Sequence, residues 1–175
     1  MEIISKEHFI YKYSIQDYEK KIKWPLIEKI EKIPTNPYLE KNQKISSTDW
    51  NMPEKMDRQY IDFLKQFVLP DYINSTEKLW NAKLVIHNIW FQLYRQGDFH
   101  DWHTHSNANL TNIFYVKLPN EKLGTQFKMP GELIKIISVK EGDILTVPAY
   151  LAHRSQINET LHKKYVISFN SSIDI

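Results

Sequence analysis

The chain has no cysteine. That single absence removes disulfide staples, thiolate zinc sites, iron–sulfur clusters and a cysteine nucleophile. Any metal must sit on His, Asp or Glu. Charge of one sign is scarce as well: 23 Lys and Arg against 21 Asp and Glu leave a formal charge of +2. Such a balance gives no whole-protein field to draw in nucleic acid or anionic lipid. No run approaches the ~20 apolar residues of a membrane span. The first eight residues lack the apolar stretch of a signal peptide, so a cytoplasmic protein without a membrane partner is expected. Internal repeats and low-complexity tracts are also missing.

What is present is apolar and aromatic. Of 175 residues, 42% are hydrophobic and 13% aromatic, with ten tyrosines and five tryptophans, enough for one domain, 1–175, with its own core. Within 17–32, Tyr18, Ile22, Leu26 and Ile30 fall near one helical face, with Pro25 set to kink or delay the helix. Residues 34–51 show no sustained period and read as a loop. Pro53 suits a first helical turn ahead of Met56, Tyr60, Phe63, Leu64 and Phe67, ending near Pro70. From Lys83 the texture changes to short runs of Val, Ile, Phe, Tyr and Trp punctuated by Gly, Pro and Asn. Strands are expected at 84–94, 101–105, 110–118, 125–128, 133–139, 143–147, 151–156 and 164–171. The class is α+β and mainly β: a mostly helical part, 1–80, buttresses a jelly-roll-like β core, 81–175.

Four of the seven histidines are His100, His103, His105 and His153, the first three inside Phe99-His100-Asp101-Trp102-His103-Thr104-His105. In an extended strand Asp101, His103 and His105 share one face. One strand cannot surround a metal, so a further ligand must come from elsewhere, and His153 follows the Gly142-Asp143 turn on a segment with an apolar flank. Each histidine alone is more readily an ordinary polar residue on a barrel rim. Together, an i, i+2 pair with one distant imidazole suits a facial metal site.

Two stretches, 90–118 and 141–170, resemble the iron(II)/2-oxoglutarate dependent oxygenase superfamily. In particular they are similar to a small bacterial and phage group with a His-x-His motif. The matching pieces are Gly97-Asp98, His103-Thr104-His105, Phe114-Tyr115, Glu141-Gly142-Asp143, Pro148, His153 and the closing strand Tyr165 to Asn170. The resemblance implies a double-stranded β-helix of the cupin-like type, with Fe(II) as metal and 2-oxoglutarate as cosubstrate. It implies an oxidoreductase, a dioxygenase that decarboxylates 2-oxoglutarate oxidatively and hydroxylates a C–H bond. His103 and His153 are its implied metal ligands. His105 stands where the superfamily usually has a carboxylate; it is preferred as the third ligand, with Asp101 as the alternative. The superfamily places a basic residue about ten positions after the distal histidine to bind the far carboxylate of 2-oxoglutarate, a position that Lys164 fills. Tyr94, Tyr115 and Ser168 are candidate helpers and Arg154 a rival cation. Asn88, Gln92, Asn112 and Gln156 are candidates for fixing the imidazole tautomers, and Trp90, Phe91, Trp102, Ile113, Phe114, Val147 and Phe169 for dry walls. The expected substrate is a small molecule or a protein side chain rather than nucleic acid, and a homodimer stays open.

Two alternatives remain. A cupin-like protein with a three-His site would do other metal chemistry, although the carboxylate that commonly follows such a His pair is missing from Ser106 to Asn112. A non-catalytic jelly-roll module would bind through exposed aromatics.

Overall fold

The computed structural model describes residues 1–6, 8–53 and 55–174, the side chain of Glu132 excepted. In chain order its elements are β1 (Glu2–Ser5), β2 (Ile10–Ser14), α1 (Tyr18–Lys21), α2 (Lys23–Glu31), β3 (Tyr38–Glu40), β4 (Gln43–Ile45), β5 (Ser47–Thr48), α3 (Gln59–Phe67), α4 (Leu69–Trp80), β6 (Lys83–Tyr94), β7 (Phe99–His103), β8 (Leu110–Lys117), β9 (Gln126–Met129), β10 (Leu133–Ile136), β11 (Asp143–Pro148), β12 (His153–Ser155) and β13 (Lys164–Asp174). They form two antiparallel sheets, β1-β2-β11-β8-β13-β6-β5 and β10-β9-β12-β7-β4-β3. From β6 to β13 the chain switches sheets at every step except the β9–β10 hairpin, and this winding is the double-stranded β-helix.

The alternation of β8 shows how sequence divides the two cores. Phe114 and Val116 point to the helices, where Leu26, Tyr60, Leu64, Tyr72 and Ile167 bury with them. Ile113 and Tyr115 point between the sheets, against Phe127, Leu145, Val147 and Val166. Each such side chain contributes roughly 1.5–3 kcal/mol by leaving water. Most β8 positions are buried, the mark of a strand covered on both faces.

Differences from the sequence expectation lie mostly in the first half. Residues 1–80 supply five strands besides four helices, and β2 joins the larger sheet through Asp143↔Ser14 to Thr146↔Tyr11. Pro53 lies outside a helix, which starts instead at Gln59. That helix stops at Phe67, close to the expected end near Pro70, but Pro70 also sits in the first turn of α4, a helix not expected, where its missing N–H costs nothing. In the second half the strand expected to run to Val139 ends at Ile136.

Two of the motif pieces are architectural. Asp98 is buried and accepts from Arg95 N (2.8 Å), Ser46 N (3.0 Å) and Ser46 Oγ, tying the β6–β7 turn to the segment after β4. Gly142 has φ +88, and a Cβ there would stand 2.6 Å from Cγ of Tyr18. No helix among the described residues is long and apolar enough to cross a membrane.

Candidate metal centre

The smaller sheet brings two of the histidines together through one cross-strand pair. β12 lies antiparallel to β7 with His153 opposite His103, so both rings project from the same face. His105 lies two residues past the end of β7, where its N–H donates to Ala149 O at 2.9 Å. The ligand atoms of His103, His105 and His153 all lie within 4.8 Å of one another. Asp101 is not in this group; its carboxylate accepts from Trp102 N at 2.8 Å.

The hydrogen bonds fix which nitrogen faces inward. His103 Nδ1 lies 2.7 Å from the carbonyl of Asp101, and His153 Nδ1 lies 2.9 Å from that of Leu151. A carbonyl only accepts, so each Nδ1 carries the proton and each Nε2 keeps its lone pair. His105 Nδ1 lies 2.7 Å from Asn170 Oδ1, which also accepts from Thr111 Oγ1, so the same tautomer follows there. For these three rings the tautomer-fixing groups are Asp101 O, Leu151 O and Asn170; of the four candidates from sequence only Gln92 reaches a ring, that of His100, 3.3 Å from its Nδ1. Asn112 is taken up by Tyr72, Phe169 O and Ser171, and Gln156 by Lys122 O.

All three imidazoles are held neutral. Burial, with His103 alongside, lowers His105 to about 4, and burial pushes His103 down and His153 well down. Three neutral rings presenting Nε2 lone pairs fit a divalent cation of borderline softness such as Fe(II).

His100 is a fourth member of the cluster, just outside the strand expected at 101–105. The pairing steps from His153↔His103 to Ser155↔His100, so β7 carries an extra residue, a bulge that turns His100 onto the same side. Its ring stacks on that of His103, 3.8 Å between centroids and 12° between planes. Burial and the neighbouring imidazoles lower it to about 3. Only the density of histidines hinted at it.

Lys164 opens β13 fully buried, and its ammonium donates to Leu123 O at 2.6 Å and Ser155 Oγ at 2.9 Å. Burial with no acidic partner lowers it to about 7. It borders a cavity of about 30 Å³ together with Tyr94, Ser168, Gln92, His103 and His153. Tyr94 packs its ring 5.3 Å from the Lys164 nitrogen, and Ser168 donates to Gln92. Tyr115 is kept back from the cavity: its hydroxyl donates to Thr125 Oγ1, and Thr125 borders the space instead. Arg154 borders it too, but its guanidinium is held by Gln126 and stacked on Trp102. On the other side of His103 a cleft of about 590 Å³ opens to solvent over His103 and His105.

No protein-family model matches this sequence, and no curated protein does. Solved structures do match. One is the epimerase SnoN from nogalamycin biosynthesis, a non-heme α-ketoglutarate dependent enzyme (TM-score 0.72, 12% identity, 95% of this chain and 77% of that one). A prolyl-4-hydroxylase from Pseudomonas putida matches with TM-score 0.61 at 13% identity, over 94% of this chain and 93% of that one. The viral collagen prolyl hydroxylase of Paramecium bursaria Chlorella virus-1 matches with TM-score 0.55 at 16% identity, over 98% and 99%. At these identities the likeness establishes the fold, a double-stranded β-helix of the kind that iron/2-oxoglutarate oxygenases use.

Proposed function

We propose that this protein is an iron(II) and 2-oxoglutarate dependent oxygenase that hydroxylates its substrate. The observation that carries this is the convergence of three Nε2 lone pairs on one point, with a buried lysine across a small cavity from them. The fold supports it, since SnoN is known with Fe3+ and α-ketoglutarate in place and the viral hydroxylase with 2-oxoglutarate. Within the same reading the enzyme is cytoplasmic and acts on a small molecule or a protein side chain.

His103, His105 and His153 would hold the iron on one face, leaving the remaining positions for cosubstrate and dioxygen. The bound iron and 2-oxoglutarate would supply dioxygen activation coupled to oxidative decarboxylation. The protein's own share is placement. Lys164 would turn its ammonium from Leu123 O and Ser155 to the far carboxylate, with Tyr94 and Ser168 alongside as hydroxyl donors. The cavity, which holds about one water as it stands, has to widen by that movement. Asp101 O, Leu151 O and Asn170 keep the imidazole lone pairs aimed inward throughout. Phe127, packed 5.9 Å from His153, helps keep water from the far side.

Anaerobic titration with iron(II) and then 2-oxoglutarate tests this. A visible metal-to-ligand charge-transfer band is expected, absent in His153→Ala and weakened at equal cosubstrate in Lys164→Ala. Iron binding without the band would favour a cupin-like metalloprotein, for which a neutral three-His set is also suited. Absence of iron binding would sink both.

A further inference from the structure

The open cleft over His103 and His105 is unusual for what lines it. In a chain with 25% charged residues, no Lys, Arg, Asp or Glu is among the described residues that line it. Besides the imidazoles of His87, His100, His103 and His105, its polar groups are amides and hydroxyls. Among the described residues the side chains of Asn88, Thr104, Ser106 and Asn107 have no hydrogen-bond partner, so their donors and acceptors are left for a ligand. Glu40 stands behind this lining and is occupied by Tyr38 and Gln43.

The cleft also has a flat apolar wall. Trp50 is 52% exposed and lies 4.5 Å from Trp90, edge to face. Trp90 in turn stacks on His105 at 5.6 Å. A row of rings thus runs from solvent to the histidine cluster. Trp50 is held firmly, because the preceding Asp49 accepts from Phe91 N (2.8 Å), Tyr60 Oη (2.7 Å) and Arg58 Nε (2.9 Å). Trp50 thus stands in the turn after β5, with the preceding residue tied to β6 and α3 and its own ring packed on Trp90 of β6.

We infer that the cleft takes an uncharged, hydroxyl-rich ring compound, a sugar or the sugar of a glycoside. A charged ligand would give up its hydration with no Lys, Arg, Asp or Glu among the described lining residues to pair it. Neighbouring ring hydroxyls both donate and accept, as carboxamides and side-chain hydroxyls do. The apolar face of a pyranose lies flat on an indole, burying area at small entropic cost. Seated on Trp50, such a ring has its edge directed along Trp90 to His105. This inference rests on the oxygenase reading for its chemistry but not for its binding.

The experiment is saturation-transfer difference NMR on the full chain with no metal added. The probes are methyl glucoside, cellobiose, maltose and sucrose, with glucuronic acid, glucose 6-phosphate and a neutral blocked tetrapeptide amide alongside. The neutral saccharides are expected to receive saturation, at least tenfold more strongly than the two charged sugars. Trp50→Ala should lower that signal at least fivefold with unchanged circular dichroism, and Asn88→Ala should lower it too. Equal binding of the charged sugars, binding of the peptide alone, no saccharide binding, or saccharide binding indifferent to Trp50→Ala would each overturn the proposal. A charge-transfer band without saccharide binding would defeat this inference alone. Saccharide binding without the band would defeat the oxygenase reading alone.

Discussion

Asn170 Oδ1 sits 2.7 Å from His105 Nδ1, with Thr111 Oγ1 at 3.1 Å from the same nitrogen; the rings of His103 and His153 rest on backbone carbonyls instead. Asn170 is itself fixed in the middle of a three-strand row, opposite Asn88 on β6 and Thr111 on β8. The tautomer of His105 is thus set by side chains, which can be substituted, with Asn170 the shorter contact.

Asn170→Ala removes that acceptor and lets the ring flip or rotate. Groups that orient a ligating imidazole are commonly worth 10–100-fold in metal affinity. A loss of about that size is expected in a competition titration against a chromophoric chelator, and Asn170→Asp should keep or tighten binding. Unchanged affinity in Asn170→Ala would mean that Thr111, 3.1 Å from the same nitrogen, suffices.

Asp101 and His105 separate cleanly. Asp101 serves the cluster through its carbonyl, which every residue type retains, while its carboxylate accepts from Trp102 N. Asp101→Ala should therefore bind iron within about threefold of the parent, whereas His105→Ala removes one of three lone pairs and should cost 100-fold or more. Equilibrium dialysis of the two variants decides the third ligand; the reverse ranking would return that role to Asp101.

How much of this was legible follows from where each signal is stored. The strands from β6 to β13 were readable because β-branched and aromatic runs between turn residues are local patterns. So was the meeting of His103, His105 and His153, which the family motif carries. β2 was missed because its five residues owe their state to β11, some 130 positions later, and propensity over so short a run cannot report a distant partner. β3, β4 and β5 have three residues or fewer, too short to show a period. His100 was not placed with the other three because the expected strand began at Asp101, and the bulge that brings it in is set by pairing. The tautomer locks on His103 and His153 are backbone carbonyls, which no residue type announces.

Gly142→Ala probes one motif glycine by stability alone. The substitution meets a left-handed φ of +88 and places a methyl 2.6 Å from the Tyr18 ring. That ring cannot retreat, since its hydroxyl donates to Val116 O at 2.5 Å. Strain and displacement together should cost roughly 1–3 kcal/mol, read as a lower urea midpoint at unchanged slope. A midpoint within error of the parent would show that the turn relaxes freely.

Lys164 yields a prediction whose sign can be worked out. Burial lowers it from 10.5 to about 7 in the folded chain, so between those values the unfolded chain binds more protons than the folded one. Stability must then rise with pH across that window, by up to about 1.4 kcal/mol per unit from this group, and the full penalty remains below pH 7. Lys164→Met lacks this slope, so urea titrations of the two metal-free proteins should diverge in the parent's favour from pH 7 to 10. If the 2-oxoglutarate carboxylate takes the ammonium, binding restores the charge and one proton is taken up near pH 8.5. Calorimetry in two buffers of different ionisation enthalpy measures that uptake; about one proton in the parent and none in Lys164→Met is expected. Apparent affinity should also fall about tenfold per unit above pH 7. A parent that binds 2-oxoglutarate without proton uptake would move the anchor to Arg154, which keeps its charge throughout this range.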